Sequence, residues 1–180
     1  MGDDGGVAGT KGKQTVRDMV LSMAVIGAVV ASIYVFIPHD EKKDPTRTVD
    51  YRVELITARR AARYPVAAPV GLPETWRPTS VSYRGQDEDA WHLGFLDPDD
   101  EYVAVEQSSG PVERFVRTVS QQATKTDRTQ QVGSESWQRW EGPKYDALVR
   151  AEKGVTTVVT GTAPHEQLVK MAAALEEKKS

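Results

Sequence analysis

An α+β domain carried behind a single N-terminal transmembrane helix is the architecture this sequence predicts. Three observations lead there. One uncharged apolar block, residues 20–37, stands near the start of the chain. Beyond it, short runs of alternating apolar and polar residues, separated by turn-forming residues, read as strands. Two stretches with apolar residues at helical spacing follow such runs, so the order strand, strand, strand, helix occurs twice. Two such units predict a mainly antiparallel sheet with the helices gathered on one face.

The apolar block reads VLSMAVIGAVVASIYVFI, and its only hydroxyl side chains besides Tyr34 are Ser22 and Ser32. Each serine can donate to a carbonyl one turn earlier. At 1.5 Å rise per residue the block reaches about 27 Å, close to the hydrocarbon thickness of a bilayer. Tyr34 suits the interface, and Pro38 stops the helix. The absence of a polar stripe argues against a core helix, and the bulky residues that close the block argue against a cleaved signal peptide. Four segments follow: a disordered cytoplasmic tail at 1–19, a transmembrane helix at 20–37, a polar linker at 38–48 and an extracytoplasmic domain at 49–180. Lys11, Lys13 and Arg17 before the span balance Lys42, Lys43 and Arg47 after it, so charge alone leaves the orientation open. A short tail ahead of a signal-anchor-like span favours an inner N-terminus. Ala24, Gly27, Ala28 and Ala31 supply small residues at four-residue spacing, a candidate contact for another membrane helix.

The formal net charge is −3. The tail is neutral, because Lys11, Lys13 and Arg17 offset Asp3, Asp4 and Asp18, so the excess acid belongs to the domain. A mildly acidic domain lacks the concentrated positive field that nucleic acid requires, and no nucleic-acid partner is expected. The chain has no cysteine, which excludes disulfides, zinc thiolates and thiol nucleophiles.

In the domain, Val49, Tyr51, Val53 and Leu55 alternate with polar residues and predict a strand, followed by a helix-prone stretch at 56–64. Pro65, Pro69, Pro73 and Pro78 impose an extended path. The first unit then has strands at 79–84 and 91–95. A third at 102–105 is apolar on both faces and therefore central. Its helix begins at Pro111 and carries Val112, Phe115, Val116 and Val119 on one stripe. The second unit has strands at 136–141, 144–150 and 155–160, and a helix from about Pro164 with Leu168, Val169, Ala172 and Leu175 inward.

Little in the sequence signals chemistry. His39, His92 and His165 have no metal-pair spacing, and His92 falls on the strand face opposite Trp91, Leu93 and Phe95. The acidic run 97–101 lacks the glycine and distal glutamate of a calcium loop, and a hairpin turn explains it. Ser108-Ser109-Gly110 suits a helix start and shows no nucleophile elbow. No phosphate loop or dinucleotide fingerprint occurs. No catalytic residue, cofactor or metal ligand is therefore assigned. Trp137 and Trp140, three apart in a strand, point to opposite faces, and an exposed member of the pair would mark a partner-binding surface.

Three separated blocks carry a resemblance: YPVAAPVGLPETWRPTSVS from Tyr64, WHLGFLDPDDEYVAVEQS from Trp91, and VVTGTAPHEQLVKMAAAL from Val158. In this order they resemble the DUF4245 family, actinobacterial proteins with one N-terminal membrane helix and an uncharacterised domain. The resemblance covers residues 14 to 176 and, with no activity assigned to the family, carries over no catalytic residue. It implies an inner tail and a domain outside the cytoplasmic membrane. More distantly, the second unit is similar to DUF4367-type envelope domains. The expected function is a non-enzymatic binding module of the cell envelope. Its partners would be the lipid bilayer through residues 20–37 and an envelope protein, peptidoglycan or lipid. The alternatives are an accessory subunit of a membrane complex and an undetected hydrolase.

Overall fold

The structure is a computed structural model that describes residues 11–36 and 47–179. Residues 1–10 of the expected tail, residue 37 of the expected span and residues 38–46 of the expected linker lie outside the described residues. The chain divides into two units, Met1–Pro45 and Thr46–Ser180.

The first unit contributes one helix, α1 (Lys11–Phe36). It starts earlier than the apolar block, so residues 11–19, expected in the disordered tail, are helical from Lys11 onward. Once the apolar block is helical, each added residue gains one hydrogen bond for one residue fixed, so the helix extends easily into polar sequence. Its apolar side chains are exposed from Val16 to Val30. Ser32 Oγ donates to the Ala28 carbonyl at 2.8 Å, the back-bond expected of a serine in such a helix. Among the described residues no helix is long and apolar enough to cross a membrane. The side chains described in α1 end at Ser32, short of the end of the uncharged run in the sequence.

The second unit is α+β with antiparallel sheets. Its elements are α2 (Arg52–Ala61), β1 (Val66–Pro69), β2 (Arg77–Arg84), β3 (Ala90–Leu96), β4 (Tyr102–Ser108), α3 (Val112–Val119), β5 (Thr124–Val132), β6 (Glu135–Glu141), β7 (Asp146–Glu152), β8 (Val155–Gly161), α4 (His165–Ala173) and β9 (Leu175–Lys178). Seven strands form one sheet in the order β2-β3-β4-β8-β7-β6-β5, and β1 pairs with β9 in a separate two-stranded sheet. The larger sheet is two meanders, β2-β3-β4 and β5-β6-β7-β8, joined where β4 pairs antiparallel with β8. The position of β4 in the middle follows from its apolar character on both faces.

Alternation along the strands sends side chains to two cores. On one face Trp91, Leu93, Phe95, Val103, Val105, Trp137, Leu148 and Val159 pack with Leu55 and Ala58 of α2 and with Leu168, Met171 and Ala172 of α4. On the other face Trp140, Ala147, Val149 and Val158 pack with Phe115, Val116 and Val119 of α3. The adjacent Val158 and Val159 thus serve opposite cores. This corrects the expectation that the helices share one face: α3 packs opposite α2 and α4. The sequence pattern gives each helix its apolar stripe but not the side of the sheet on which the stripe lands.

A second correction concerns residues 49–55, expected as a strand. They lead into and begin α2, and Val53 is exposed. Tyr51, Leu55, Ala58 and Ala62 form the inward stripe instead, at helical spacing. The second meander also has a strand ahead of the three expected ones, β5, whose polar sequence TKTDRTQQV gave no apolar alternation to read. Its register is interrupted between Lys125 and Thr129. Gln138 Nε2 donates to the carbonyls of Thr126 and Arg128 at 2.8 Å each, holding that irregular stretch.

Candidate functional site

α3 packs on β8 and the core beside it and borders the outer face of the β2-β3-β4 half only at its Ala90 and Ser108 end. Register places polar residues together there. Across β2 and β3, Ser80 is opposite Gly94 and Ser82 is opposite His92. Across β3 and β4, His92 is opposite Glu106 and Gly94 is opposite Ala104. Ser80, Ser82, His92, Tyr102 and Glu106 are all partly exposed.

Three of these side chains form a continuous line over three strands. Ser80 Oγ lies 2.8 Å from His92 Nε2. His92 Nδ1 lies 2.6 Å from Glu106 Oε1. A carboxylate only accepts, so Nδ1 carries a proton, and in the neutral ring Nε2 accepts from the Ser80 hydroxyl. The side chains of His92 and Glu106 are 23% and 13% exposed, so the pair is sheltered but reachable from solvent.

Gly94 sets the floor of this cluster. A Cβ there would collide with Ser80 Oγ and lie 2.7 Å from the Tyr102 hydroxyl. The missing side chain lets both hydroxyls lean over the strand. The Tyr102 hydroxyl lies with Ser80 Oγ above Gly94, and burial pushes its pKa up to about 12. The Tyr102 ring lies 6.1 Å from that of Tyr145, centroid to centroid, and extends the surface towards β7.

Two other polar clusters are structural. Asp89, at 3% exposure, accepts from the Tyr83 hydroxyl at 2.8 Å and sits 3.1 Å from Arg63 Nε, while its carbonyl accepts from the Tyr64 hydroxyl. Burial, with Asp89 adding to it, raises the Tyr64 pKa far above the ordinary phenol range and that of Tyr83 to about 12. Arg150 bonds Glu135 and Glu177 and lies 5.0 Å from the centroid of the Trp137 ring, beside a cavity of about 300 Å³. Burial raises the Glu177 pKa in spite of Arg150.

The residues singled out by sequence fall elsewhere. Trp137 and Trp140 do point to opposite faces, but both are inside, at 0% and 5% exposure, Trp137 in the α4 core and Trp140 in the α3 core. Arg150 lies over the Trp137 ring, and Trp140 packs with Phe115 and Val119 of α3. Ala24, Gly27, Ala28 and Ala31 lie along α1, and the space beside Gly27 is open. His165 meets Gln130 at 3.0 Å, its pKa lowered by burial. His39 lies outside the described residues. Asp97, in the acidic run, accepts from the backbone N–H groups of Asp99 and Glu101 at 2.9 Å each and builds the β3–β4 turn. Among the described residues no cluster of three or more histidines or carboxylates could hold a metal ion.

The Ser80–His92–Glu106 line was not anticipated. Its members are separated by 12 and 14 residues, with no local motif. The signal that could have found it is hairpin register: pairing strands 79–84 and 91–95 with a third strand carried past its expected end at 105 to Glu106, outward from their turns, sets all three side chains on the face opposite Trp91.

The family model for the protein of unknown function DUF4245 matches residues 11–175. The chain belongs to the DUF4245 family. The match takes in α1 as well as the domain. No curated protein matches this DUF4245 chain.

Proposed function

We propose that this DUF4245 protein is a membrane-anchored module of the cell envelope, with its N-terminus inside the cytoplasmic membrane. Its domain lies outside and binds a partner through the outer face of β2-β3-β4. The observation that supports binding is that face itself, a half-sheet rich in partly exposed polar groups and tyrosine beside a half that α3 packs on. Anchoring is supported by the uncharged run of residues 20–37 and by the exposed apolar side chains of α1. A run of that length matches the hydrocarbon thickness, and neither a core helix nor a signal peptide fits its pattern. The family match supports the reading that helix and domain act together.

Fractionation tests the anchor. The full-length chain is expected in the membrane pellet after carbonate washing, and recovery in the washed supernatant without detergent would overturn it. Site-directed photo-cross-linking in intact membranes tests the face. A probe at Ser82 should capture a partner that a probe at Asp127 on β5 does not, and equal capture from both would refute the assignment.

A second reading, an accessory subunit held through its helix, draws on the open side of α1 at Gly27. Replacing Gly27 and Ala28 with leucine should then abolish co-purification of the partner while membrane attachment persists.

A further inference from the structure

We propose that Ser80 is an acyl-accepting nucleophile, with His92 as its base, Glu106 as the positioning residue and Tyr102 as donor to the oxyanion, acting on carboxylic esters. This goes beyond the binding role above and does not depend on where the chain is located.

The argument rests on three features that converge on one spot. A nucleophile hydroxyl is 2.8 Å from a ring nitrogen, and a carboxylate is 2.6 Å from the other nitrogen of the same ring. This is the arrangement that activates a serine: the base takes the hydroxyl proton, and a third group fixes the base's tautomer and orientation. A second hydroxyl, that of Tyr102, stands on the same side of Gly94 as Ser80 Oγ. A phenol is an O–H donor at neutral pH, so Tyr102 can face a developing negative oxygen. The side chains of Ser80, His92, Tyr102 and Glu106 are all partly exposed, so the cluster opens to solvent.

The steps balance without a cofactor. Ser80 Oγ attacks the ester carbonyl carbon, its proton passes to His92 Nε2, and the carbonyl oxygen takes the negative charge beside Tyr102. The intermediate collapses, the bond to the alcohol oxygen breaks, and His92 returns the proton to the leaving alcohol. Water then attacks the acyl-serine, giving a proton to His92, and the bond from the acyl carbon to Oγ breaks as Oγ recovers that proton. One ester and one water become one acid and one alcohol.

The test uses the full-length protein in detergent micelles with a fluorophosphonate probe, the modified serine being located by peptide mass spectrometry. Ser80 is expected to label about 100-fold faster or more than Ser82, which stands opposite His92 in register but makes no hydrogen bond to the ring. His92→Gln should slow Ser80 labelling by about 100-fold, and Tyr102→Phe should slow it by about 100-fold. Glu106→Gln should slow it too, with partial recovery in Glu106→Asp, which a purely structural carboxylate would not produce. Ser80 labelling no faster than Ser82, or undiminished in His92→Gln, would overturn the proposal. The Ser80 to Ser82 comparison is made within the unaltered protein, so a variant that misfolds cannot decide the matter. Labelling and membrane pelleting are separate readouts, so failure of one leaves the other standing.

Discussion

Gly94 shows how much one absent side chain arranges. Its open Cα lets Ser80 Oγ and the Tyr102 hydroxyl share the space above β3. Gly94→Ala forces one of them out, and overpacking of this kind costs about 1–3 kcal/mol. Chemical denaturation should show that loss together with slower Ser80 labelling. Tyr83 and Tyr102 give the domain an alkaline signature. Both pKa values are raised to about 12, above the ordinary phenol value of 10.0, so the folded state holds these protons more tightly than the unfolded chain. Their contribution is fully present below the unfolded value and is lost as pH climbs through the folded one. Stability measured by denaturant midpoint should therefore fall between pH 10.0 and 12, with less fall in Tyr83→Phe. His165 acts at the acid side with the opposite sign. Its folded pKa is lowered by burial, so its contribution is present above the ordinary imidazole value and lost as pH falls through the lowered one.

At the scale of elements, α4 holds the larger core in place. Leu168 is wholly buried against the sheet, so Leu168→Ala should cost about 2–5 kcal/mol in a denaturation experiment. The legibility of the elements follows from how much each buries. The strands β3, β4 and β6 to β8 were readable because each buries one or both faces, and β2 because Val81 and Tyr83 pack partly buried against the core, and burial is what writes alternation into sequence. β5 is an edge strand with only Val132 buried, so its residues were free to be polar and left no period. Its Lys125, Asp127 and Arg128 protect the edge from pairing with another chain. The segment before Ala62 misled because Tyr51 and Leu55 satisfy both periods, and Val53, the residue that decides between them, is at the surface. The helix side was illegible for a different reason: the stripe on α3 is the same whichever face of the sheet it meets. Ser80, His92 and Glu106 were illegible singly, since each is ordinary in a half-exposed strand and only register joins them.

The whole molecule depends on the seam between its two meanders. At that seam Gly161 faces the Tyr102 backbone, leaving no room for a side chain: a Cβ would lie 2.7 Å from the Tyr102 carbonyl carbon and 3.0 Å from Val103 Cα. Backbone cannot swing aside as a side chain can, so Gly161→Ala should destabilise the domain more than Gly94→Ala, in the same denaturation assay. Hydrogen exchange should find β4 and β8 the slowest strands to open, since both are central and buried, with β5 the fastest of the large sheet. The small sheet has its own bearing on how the domain is made. β1 comes early and β9 late, yet Val66 pairs with Lys178 and Pro69 with Leu175. A chain leaving the ribosome, or a translocation pore, therefore exposes an unpaired edge at β1 until nearly all the rest has followed. The two meanders can assemble before that moment, but the clasp cannot close, and a chaperone that shields a lone strand would find its substrate there.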